Sequence, residues 1–579
     1  MTDSAEQKVS ELAKRRGFFT QSSEAYGGVA GFYTYGPQGA ALKENIEDVW
    51  RDRFTVKEGN REIEAPIVMP EPVFEASGHL DGFDDMILEC PECGASHRAD
   101  HLVEDSTDIE EAESLPTEKV ESIIEEHDLK CPSCGAPLAG VEVEEFNLMF
   151  GTSIGPGSGS TGYLRPETAQ GIFVEFPRLK EYARGDLPFG ITQIGKSYRN
   201  EISPRKQIIR TREFTQAELE LFIDPEEDRP DLSDLKNIQL KLYPAEEQQS
   251  DDGELVETTL REAVDDGILE YEWIAYYLGL AKRWFERIGI DMEKFRFRQH
   301  LAGERAHYAE DCWDAEAYAA NDWIELAGFA YRGDYDLRKH HEHSDDDFTV
   351  FKPYDEPKTV EETVVEPDMG FLGPEYGDKA GKIVEELEEK AEKEPGAFDS
   401  GEVAVEIDGE SYLVPAEKTG FERREVEKNG EHIIPHVVEP SFGVDRPLYA
   451  VLEHNLETDE VDGEKRNVLR LEPEVAPTEV AVFPLMDKEG LGDRAEELAS
   501  RLREQGFSVY YDDSGAIGRR YRRQDEVGTP VCVTVDYETL EEGGVTLRDR
   551  DTTEQVRVPL DQLEQKLEAF LEGEELEKL

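Results

Sequence analysis

The chain has 579 residues and a formal net charge of −70, with 63 Lys and Arg against 133 Asp and Glu. Its length exceeds one ordinary domain, and so acidic a composition excludes the general basic surface with which most proteins bind nucleic acid. An aromatic content of 9%, together with periodic apolar segments, also excludes an acidic disordered chain. Because the acids are spread along the whole length, we expect a folded protein adapted to concentrated salt, where the Debye length falls to about 3 Å at 1 M.

The sequence contains no apolar run of the roughly 20 residues that a membrane-spanning helix needs. Its first residues, MTDSAEQKVSELAKRRG, lack the apolar centre of a signal peptide. Four of the six cysteines form two C-x-x-C pairs, a usage typical of metal binding in a reducing compartment rather than of disulfide bonds. We therefore expect no membrane association and a cytoplasmic location.

The first predicted elements are an amphipathic helix and a strand. Residues 38–54 repeat apolar side chains at helical spacing, from Leu42 to Phe54. The following segment, REIEAPIVMP at 61–70, alternates apolar residues with others, which predicts a strand. Pro66 removes one backbone donor from this strand and therefore favours an edge position or an interface.

Two cysteine knuckles, CPECG and CPSCG, lie at either end of residues 90–134, around an acidic segment of helical pattern. Four thiolates at this spacing can complete a tetrahedral zinc shell, so His97 and His101 nearby are not needed as ligands. The alternative is two unrelated pairs of buried cysteines, which is how we interpret Cys312 and Cys532. The pattern predicts a structural zinc site with the ligands Cys90, Cys93, Cys131 and Cys134.

The rest of the chain divides by its pattern of apolar residues. Residues 189–222 alternate like two antiparallel strands joined by a polar loop, and 225–320 are predicted to be mainly helical. Residues 344–435 form a long acidic insertion. After the Pro-containing linker EPEVAPTEV, short strands alternate with helices over 473–579, which predicts a small α/β domain.

One basic stretch interrupts this acidic chain: KSYRNEISPRKQIIRTREF, residues 196–214. In the strand RTREFTQAELELF, a period of two places polar residues on one face and apolar residues on the other. Arginine forks match phosphate oxygens, and an aromatic ring can stack on a purine base. The alternative is a solvated strand with scattered ion pairs. The polar face is predicted to present Arg210, Arg212, Phe214, Gln216 and Glu218.

Three segments resemble the signature motifs of class II aminoacyl-tRNA synthetases. YRNE followed by IRTREF resembles the second motif, EPSFGVDR at 439–446 resembles the third, and the helix and strand around Pro66 resemble the first, which builds a dimer interface. Within that class, YGGVAGFYTYGPQGAALKENI, RPETAQGIF, FTQAELE and ELAGFAYRGDYDL resemble glycyl-tRNA synthetases of the homodimeric, archaeal and eukaryotic-like type. With the acidic composition, the resemblance points to a halophilic archaeon. It spans about residues 10–225 and 300–579.

This resemblance implies an α+β fold, in which a class II core of antiparallel sheet flanked by helices carries a zinc-binding insertion and precedes a C-terminal α/β anticodon-binding domain. The catalytic domain is expected at 1–472 and the anticodon-binding domain at 473–579. Within the catalytic domain we expect a zinc-binding insertion at 90–134, a helical region at 225–320 and an acidic insertion at 344–435.

The implied activity is that of a glycine–tRNA ligase: glycine and ATP give glycyl-adenylate and pyrophosphate, and glycine is then transferred to the 3′ end of tRNA(Gly). The implied cofactors are ATP, Mg²⁺ and a structural Zn²⁺, and the implied partners are tRNA(Gly), glycine and a second copy of the chain. Attack of a carboxylate on the α-phosphorus needs no protein base, so the protein must supply position and positive charge. The basic stretch meets that need.

Two other functions fit parts of the pattern. A synthetase-like binding protein without catalysis, such as a polymerase accessory subunit, has no reason to retain Arg199, Glu201, Arg210, Glu325 and Arg446 together. A synthetase of the same subclass for serine, threonine or proline is the closer alternative. Against it stand the segments RPETAQG, FTQAE and EPSFG, which are of the glycine type.

The resemblance also implies roles for single residues in binding ATP. Arg199 would hold the α-phosphate and the amino-acid carboxylate, Glu201 and Phe214 would contact the adenine, and Arg210 and Arg446 would bind the γ-phosphate. The implied catalytic residues are therefore Arg199, Glu201 and Arg446. The implied ATP site consists of Arg199, Asn200, Glu201, Ile209, Arg210, Thr211, Arg212, Glu213, Phe214, Glu325, Leu326, Gly443, Val444, Asp445 and Arg446.

The implied glycine site relies on carboxylates and a hydroxyl, which suit an ammonium group with three donors. Arg98 would join it from between the two cysteine pairs, and Glu325 would bind the catalytic magnesium ion. The implied glycine site consists of Arg98, Glu167, Phe214, Thr215, Gln216, Ala217, Glu218, Glu439, Pro440, Ser441, Phe442 and Gly443.

A second basic cluster lies in the C-terminal segment GAIGRRYRRQDEVG, residues 515–528. It is expected to face RNA from the start of a helix in the anticodon-binding domain. The alternative is a helix whose cations neutralise neighbouring acids. The residues expected to bind tRNA are Arg519, Arg520, Arg522 and Arg523.

Overall fold

The structure is a computed structural model. It describes residues 5–578 except 108, 110, 111, 113, 114, 158, 205, 251, 252, 304–308, 408, 409 and 462, so one arginine of the basic stretch, at 205, lies outside the described residues. The chain divides into two compact units. The first combines Met1–Phe348 with Pro435–Leu579, and the second is Thr349–Ile434.

The α-helices of the described residues follow in chain order. They are α1 (Ala5–Arg16), α2 (Pro37–Trp50), α3 (Glu71–Ala76), α4 (His79–Gly82), α5 (Ala99–Glu104), α6 (Thr117–Glu126), α7 (Ala169–Tyr182), α8 (Ala245–Gln248), α9 (Leu260–Asp265), α10 (Glu272–Arg287), α11 (Tyr335–His343), α12 (Met369–Tyr376), α13 (Ala380–Lys393), α14 (Asp445–Asn455), α15 (Leu491–Glu504), α16 (Ile517–Asp525), α17 (Tyr537–Glu542) and α18 (Leu563–Leu571). None of the described helices is long and apolar enough to cross a membrane.

The strands of the described residues range from 2 to 15 residues, and most pair antiparallel. They are β1 (Phe19–Gln21), β2 (Tyr33–Tyr35), β3 (Arg61–Glu62), β4 (Val68–Pro70), β5 (Asp84–Glu89), β6 (Ser96–Arg98), β7 (Glu144–Asn147), β8 (Phe150–Ile154), β9 (Ser160–Leu164), β10 (Phe189–Tyr198), β11 (Glu213–Ile223), β12 (Gln239–Tyr243), β13 (Val256–Thr259), β14 (Phe295–Gln299), β15 (Asp311–Ala319), β16 (Asp322–Gly333), β17 (Val350–Val364), β18 (Glu402–Ile407), β19 (Glu410–Pro415), β20 (Glu422–Ile433), β21 (His436–Gly443), β22 (Leu456–Val461), β23 (Glu464–Leu469), β24 (Val480–Pro484), β25 (Val509–Tyr511), β26 (Val531–Val535), β27 (Gly544–Asp549) and β28 (Gln555–Pro559).

A nine-stranded sheet in the order β13-β12-β14-β15-β16-β21-β11-β10-β3 forms the centre of the first unit. Its pairs are antiparallel except β12 with β14 and β10 with β3. One face carries a large apolar core, in which the ring of Phe442 lies 4.9 Å from that of Phe54 and 5.2 Å from that of Trp284. Ladders of backbone hydrogen bonds and this core fix the positions of the polar side chains on the opposite face.

The predicted helix over 38–54 is present as α2, which continues without a break into a π-helical turn, Arg51–Val56. The prediction of one strand over 61–70 is wrong, because β3 ends at Glu62 and β4 begins at Val68, in a different sheet. Between them Pro66 lacks a donor and restricts Ala65. Two side chains bind the Ala65 backbone instead: Gln193 accepts its N–H at 3.0 Å and Arg165 donates to its carbonyl at 3.0 Å.

The two antiparallel strands predicted over 189–222 are confirmed as β10 and β11, which pair from Phe189 with Phe222 to Tyr198 with Glu213. Because β11 begins at Glu213, Arg210 and Arg212 precede the strand, contrary to the prediction. Arg210 nonetheless lines one cavity with Phe214 and Gln216, as predicted, whereas Arg212 does not. The prediction that 225–320 is mainly helical is also wrong. Besides α8 to α10, this region contributes β12 to β15 to the central sheet, where buried Phe295 and Phe297 alternate with arginines.

Three smaller parts have cores of their own. The cysteine region combines β5, β6 and β7 with α5 and α6, around residues such as Leu88 and Ile123. The unit Thr349–Ile434, which corresponds to the predicted acidic insertion, contains the β17–β20 ribbon and the β18–β19 hairpin. In the C-terminal part, β24 pairs parallel with β25 and β26, and β27 and β28 continue antiparallel, around a core that includes Val533. This mixed sheet with its helices agrees with the predicted α/β domain.

Candidate active site

Two adjoining cavities lie on the polar face of the sheet. The first, of about 80 Å³, is lined by residues of the basic stretch and of the segment before α14. The second, of about 300 Å³, has five acidic residues and one arginine in its lining. Both are lined by Glu325, Ser441, Gln216 and Arg199, which come from the neighbouring strands β16, β21 and β11 and from the end of β10. The order of the strands therefore brings the two cavities together at one junction.

The first cavity, which we call the basic cavity, is surrounded by the guanidinium groups of Arg199, Arg210 and Arg446. Arg210 donates to Glu201 at 2.6 Å, and Arg446 donates to the Glu325 carboxylate at 2.6 Å. The Arg199 guanidinium lies 5.4 Å from the centre of the Phe214 ring. Three arginines beside an aromatic plate can bind a chain of phosphates joined to a base.

Most residues of the predicted ATP site lie here. Besides the residues already described, Ile209, Thr211, Gly443 and Asp445 line the basic cavity. Asp445 is also fixed from behind, since it accepts the backbone N–H of Thr215 at 2.6 Å and a hydrogen bond from Tyr35.

Five members of the predicted ATP set do not line the basic cavity, and these assignments are corrected. Leu326 and Val444 are buried in the apolar core. The strand period directs Leu326 to the other face of β16, and Val444 lies between β21 and α14. Arg212 donates to the carbonyls of Glu201 and Ala30 and so braces the loop behind the cavity. The others are Asn200, whose N–H bonds to the Leu148 carbonyl, and Glu213, which pairs with Lys196.

The second cavity, which we call the carboxylate cavity, is lined by Glu167, Glu218 and Glu439, all of them buried. Glu218 accepts hydrogen bonds from Gln216 at 2.8 Å and from Ser441 at 2.6 Å, and a further one from Thr168. These bonds hold its two oxygens in a fixed orientation.

Arg332, on β16, was not predicted as a site residue, yet it organises this cavity. It is 1% exposed, binds both oxygens of Asp336 at 2.7 and 2.9 Å, and donates to Glu439 at 2.5 Å. Its guanidinium lies 3.9 Å from Glu167. The sequence signal was weak, because an Arg and an Asp four residues apart also form ordinary surface pairs.

The charges around Arg332 do not balance. Among the described residues, the buried Glu220 has no hydrogen-bond partner at either oxygen, and burial raises its pKa well above the usual value. Burial, with the nearby Glu218 and Glu167, raises the pKa of Glu439 to about 8, against the opposing effect of Arg332. Burial and Glu167 likewise raise the pKa of Glu218. A cavity with this surplus of acid stabilises a cation such as an ammonium group.

Several residues of the predicted glycine set lie elsewhere, and these assignments are corrected. Ala217 and Phe442 belong to the apolar core on the opposite face of the sheet, while the side chains of Thr215 and Pro440 are buried away from the cavity. Phe214 and Gly443 line only the basic cavity.

Arg98 is placed at a third cavity, beside Arg210 and Arg446, rather than with the carboxylates. Its guanidinium is buried between Asp100, to which it donates at 3.0 Å, and Asp85, at 3.1 Å. Because Arg98 does not line the carboxylate cavity, its assignment to the glycine site is corrected.

The four cysteines of the two knuckles come together. Sγ of Cys90 lies 3.7 Å from that of Cys134, and Sγ of Cys93 lies 3.7 Å from that of Cys131. Zinc–sulfur bonds of about 2.3 Å place tetrahedral ligands about 3.8 Å apart, so the spacing fits a zinc ion. His97 Nε2 lies 3.2 Å from Cys131 Sγ, the position of a side chain that supports a thiolate from outside the shell.

The C-terminal arginines divide into two kinds. Arg520 is 1% exposed, and its guanidinium donates to the carbonyls of Pro484, Asp512 and Gly515, so its assignment as an RNA-facing residue is wrong. Helical periodicity places it on the buried face of α16, while Arg519 is exposed.

The other two arginines of this cluster are half-buried. Arg522 lies 3.7 Å from Asp525, and Arg523 lies 3.2 Å from Asp512.

The comparisons with known proteins agree with this geometry. Residues 158–245 match the tRNA synthetase class II core domain (G, H, P, S and T), and 479–570 match the anticodon binding domain. With the antiparallel sheet and the paired cavities, these matches define a class II aminoacyl-tRNA synthetase. The chain is 48% identical to the glycine–tRNA ligase of Methanothrix thermoacetophila over 96% of this chain and 95% of the relative. It is 46% identical to that of Methanocaldococcus jannaschii, over 96% and 97%, and 48% identical to that of Archaeoglobus fulgidus, over 98% and 97%. The chain therefore belongs to the glycine–tRNA ligase family.

The raised pKa of Glu439 predicts how stability depends on pH. Between about pH 4.5 and pH 8 the folded chain retains a proton on Glu439 that the unfolded chain releases, so this group's contribution to stability is lost as pH rises. Glu439→Gln carries no titratable proton there. In thermal melts in molar KCl, the melting temperature of the wild type should fall further from pH 5 to pH 8 than that of Glu439→Gln.

The matched control is Glu181→Gln at the exposed end of α7, which should follow the wild type. Equal pH dependence in all three proteins would contradict the account of the carboxylate cavity.

Proposed function

We propose that the chain joins glycine to ATP in the two cavities, giving glycyl-adenylate and pyrophosphate, and then transfers glycine to the 3′ end of tRNA(Gly). The observation that carries this proposal is the junction of a basic and a carboxylate cavity at Arg199, Gln216, Glu325 and Ser441. A polyphosphate fits the first and an ammonium group fits the second. The two reacting groups, a phosphate and a carboxylate, then meet between them.

Arg199 is the side chain best placed to act on both reactants. It lines both cavities, and its Nε donates to the Pro166 carbonyl at 3.3 Å, which orients the guanidinium. A fixed positive charge at the junction holds the α-phosphate and the glycine carboxylate together and stabilises the charge that develops during transfer. No general base is required, because the attacking carboxylate is already ionised.

The remaining ATP contacts follow from the basic cavity. Phe214 supplies a ring for stacking on adenine, and Arg210 and Arg446 would bind the outer phosphates, with Glu201 holding Arg210 in place. Glu325, which lines both cavities, would hold a magnesium ion through its carboxylate, the kind of ligand that Mg²⁺ prefers. When bound, that ion supplies positive charge to the phosphates.

Glycine recognition would rest on Glu167, Glu218, Glu439 and Ser441. Glu218 and Ser441 are joined by a hydrogen bond of 2.6 Å, and Arg332 holds Glu439 and lies close to Glu167. The ammonium of glycine would contribute the positive charge that this cavity lacks.

Removal of the Arg199 guanidinium should abolish most adenylate formation. Arg199→Ala is expected to lose on the order of 3 kcal/mol of transition-state stabilisation, or about 150-fold in kcat/KM, in ATP–pyrophosphate exchange with glycine. The control is Arg178→Ala on α7, whose side chain is 78% exposed and which should keep wild-type exchange. Near-normal exchange by Arg199→Ala would contradict the proposal that Arg199 binds the α-phosphate of ATP.

A structural zinc ion is the second part of the proposal, supported by the spacing of Cys90, Cys93, Cys131 and Cys134. Cys131→Ser should bind one equivalent of zinc fewer than the wild type and lose stability, because structural zinc contributes directly to folding. Cys532→Ser, at a buried thiol of the C-terminal core, is the matched control and should bind as much zinc as the wild type. Equal zinc content in Cys131→Ser and the wild type would refute the site.

The third part concerns tRNA, for which Arg519, Arg522 and Arg523 remain the proposed contacts on α16. Changing Arg519 and Arg522 together to Ala should leave ATP–pyrophosphate exchange intact and lower kcat/KM for tRNA charging about tenfold, since the changes remove two phosphate contacts. Arg494→Ala, at another exposed arginine of this domain, is the control. Unchanged charging by the double variant would show that tRNA does not bind through these arginines.

The remaining proposals concern the setting in which the enzyme works. We infer a homodimer, supported by β3 at the end of the central sheet and by exposed apolar residues that precede and follow it in the chain, namely Val56, Ile67 and Val68. We infer a cytoplasmic, halophilic enzyme because its six cysteines form no disulfide bond, its proposed substrates are ATP and tRNA, and its net charge is −70.

A further inference from the structure

Three side chains that the reaction above does not use lie together on one wall of the carboxylate cavity. They are His300, which follows β14, and Cys312 and Asp314, two residues apart on β15 and therefore on one face. A ring nitrogen of His300, Sγ of Cys312 and a carboxylate oxygen of Asp314 lie within 4.8 Å of one another. All three line the cavity that Glu325 and Glu439 also line.

The imidazole of this trio is held in place by Asp314 and by the backbone of Cys312. His300 Nε2 and Asp314 Oδ2 are hydrogen-bonded at 2.8 Å, and the His300 backbone N–H donates to the Cys312 carbonyl at 2.9 Å. The other ring nitrogen, Nδ1, is buried and has no hydrogen-bond partner among the described residues. Because Nε2 faces Asp314, it is the ring nitrogen that can share a metal ion with that carboxylate, and the ion would take the place of the proton between them.

Imidazole nitrogen, thiolate sulfur and carboxylate oxygen are the three donor types that zinc accepts in proteins. Zinc bonds of about 2.0–2.3 Å place tetrahedral ligands about 3.3–3.8 Å apart, so side-chain movements of about 1 Å bring the trio into range. The residue opposite Asp314 is Gly328, which has no side chain. A Cβ at this position would contact Asp314 Oδ1 at 3.6 Å, so glycine leaves this side of the carboxylate open to the cavity. The neighbouring carboxylates of Glu325 and Glu439 favour a dication there.

We propose that His300, Cys312 and Asp314 form a second zinc site, separate from the four-cysteine site, with its fourth coordination position open to the carboxylate cavity. Three protein ligands with one open position are typical of sites where zinc also binds water or an oxygen of another molecule. The fourth ligand here is water or a carboxylate oxygen of a molecule in the cavity.

The first test is the zinc stoichiometry of the full chain after chelator treatment and titration with Zn²⁺ in molar KCl. The wild type and Cys532→Ser should bind two equivalents, and Cys312→Ser and His300→Asn should bind one. Cys131→Ser should keep the equivalent held by the trio, which separates failure of this site from failure of the four-cysteine site. Two equivalents in both Cys312→Ser and His300→Asn would overturn the proposal, as would a single equivalent in the wild type that Cys131→Ser loses.

The second test uses only the wild-type chain and so does not depend on the folding of a variant. Iodoacetamide labelling of Cys312, mapped by mass spectrometry, should slow at least tenfold when Zn²⁺ is added, because the metal occupies the thiolate. Mg²⁺ is the matched control and should leave the rate unchanged, since it prefers oxygen ligands. Equal labelling rates with the two ions would overturn the proposal.

Discussion

Arg332 is buried among carboxylates that outnumber it, and the chemistry of the substrate site follows from that imbalance. Its guanidinium binds Asp336 and Glu439 and lies near Glu167, which leaves Glu218 to be stabilised by neutral donors. Burying charge without full compensation is costly, and removing one partner of such a network is more costly still. The free chain tolerates the imbalance by raising the pKa of Glu439 and Glu218. A bound ammonium ion removes the need for those protons.

The sheet makes this arrangement possible. Gln216 and Ser441, from the adjacent strands β11 and β21, line both cavities, and the ladder between these strands pairs Gln216 with Gly443 and Glu218 with Ser441. On the opposite face, Phe442 lies against the rings of Trp50, Phe54 and Trp284, so the strands cannot slip without opening the core. The basic cavity and the carboxylate cavity are therefore held next to each other, with Gln216 and Ser441 in the lining of both.

The sequence predicted those parts of the molecule that depend on local pattern or on short motifs. Period two placed Gln216 and Glu218 on one face of β11, and the C-x-x-C spacing identified a cluster that the structure brings together. It failed where long-range contacts decide. Arg332 and its partners in the cavity meet only through folding. Arg98 pairs with Asp85, and Arg520 lies on the buried face of α16, where it donates to the Pro484 carbonyl. A motif identifies a run of residues that contains the site, but alternate residues of a strand point to opposite faces. Ala217 and Phe442 therefore point into the apolar core and away from the substrate.

The most direct test of this account is the glycine KM of Glu218→Gln in ATP–pyrophosphate exchange in molar KCl. The substitution keeps the shape of residue 218 and removes its charge. Loss of a charged hydrogen bond of about 2–3 kcal/mol predicts a rise in the glycine KM of about 30- to 150-fold, with the KM for ATP within twofold of the wild type. A glycine KM within twofold of the wild type would contradict the claim that surplus buried carboxylate charge binds the substrate.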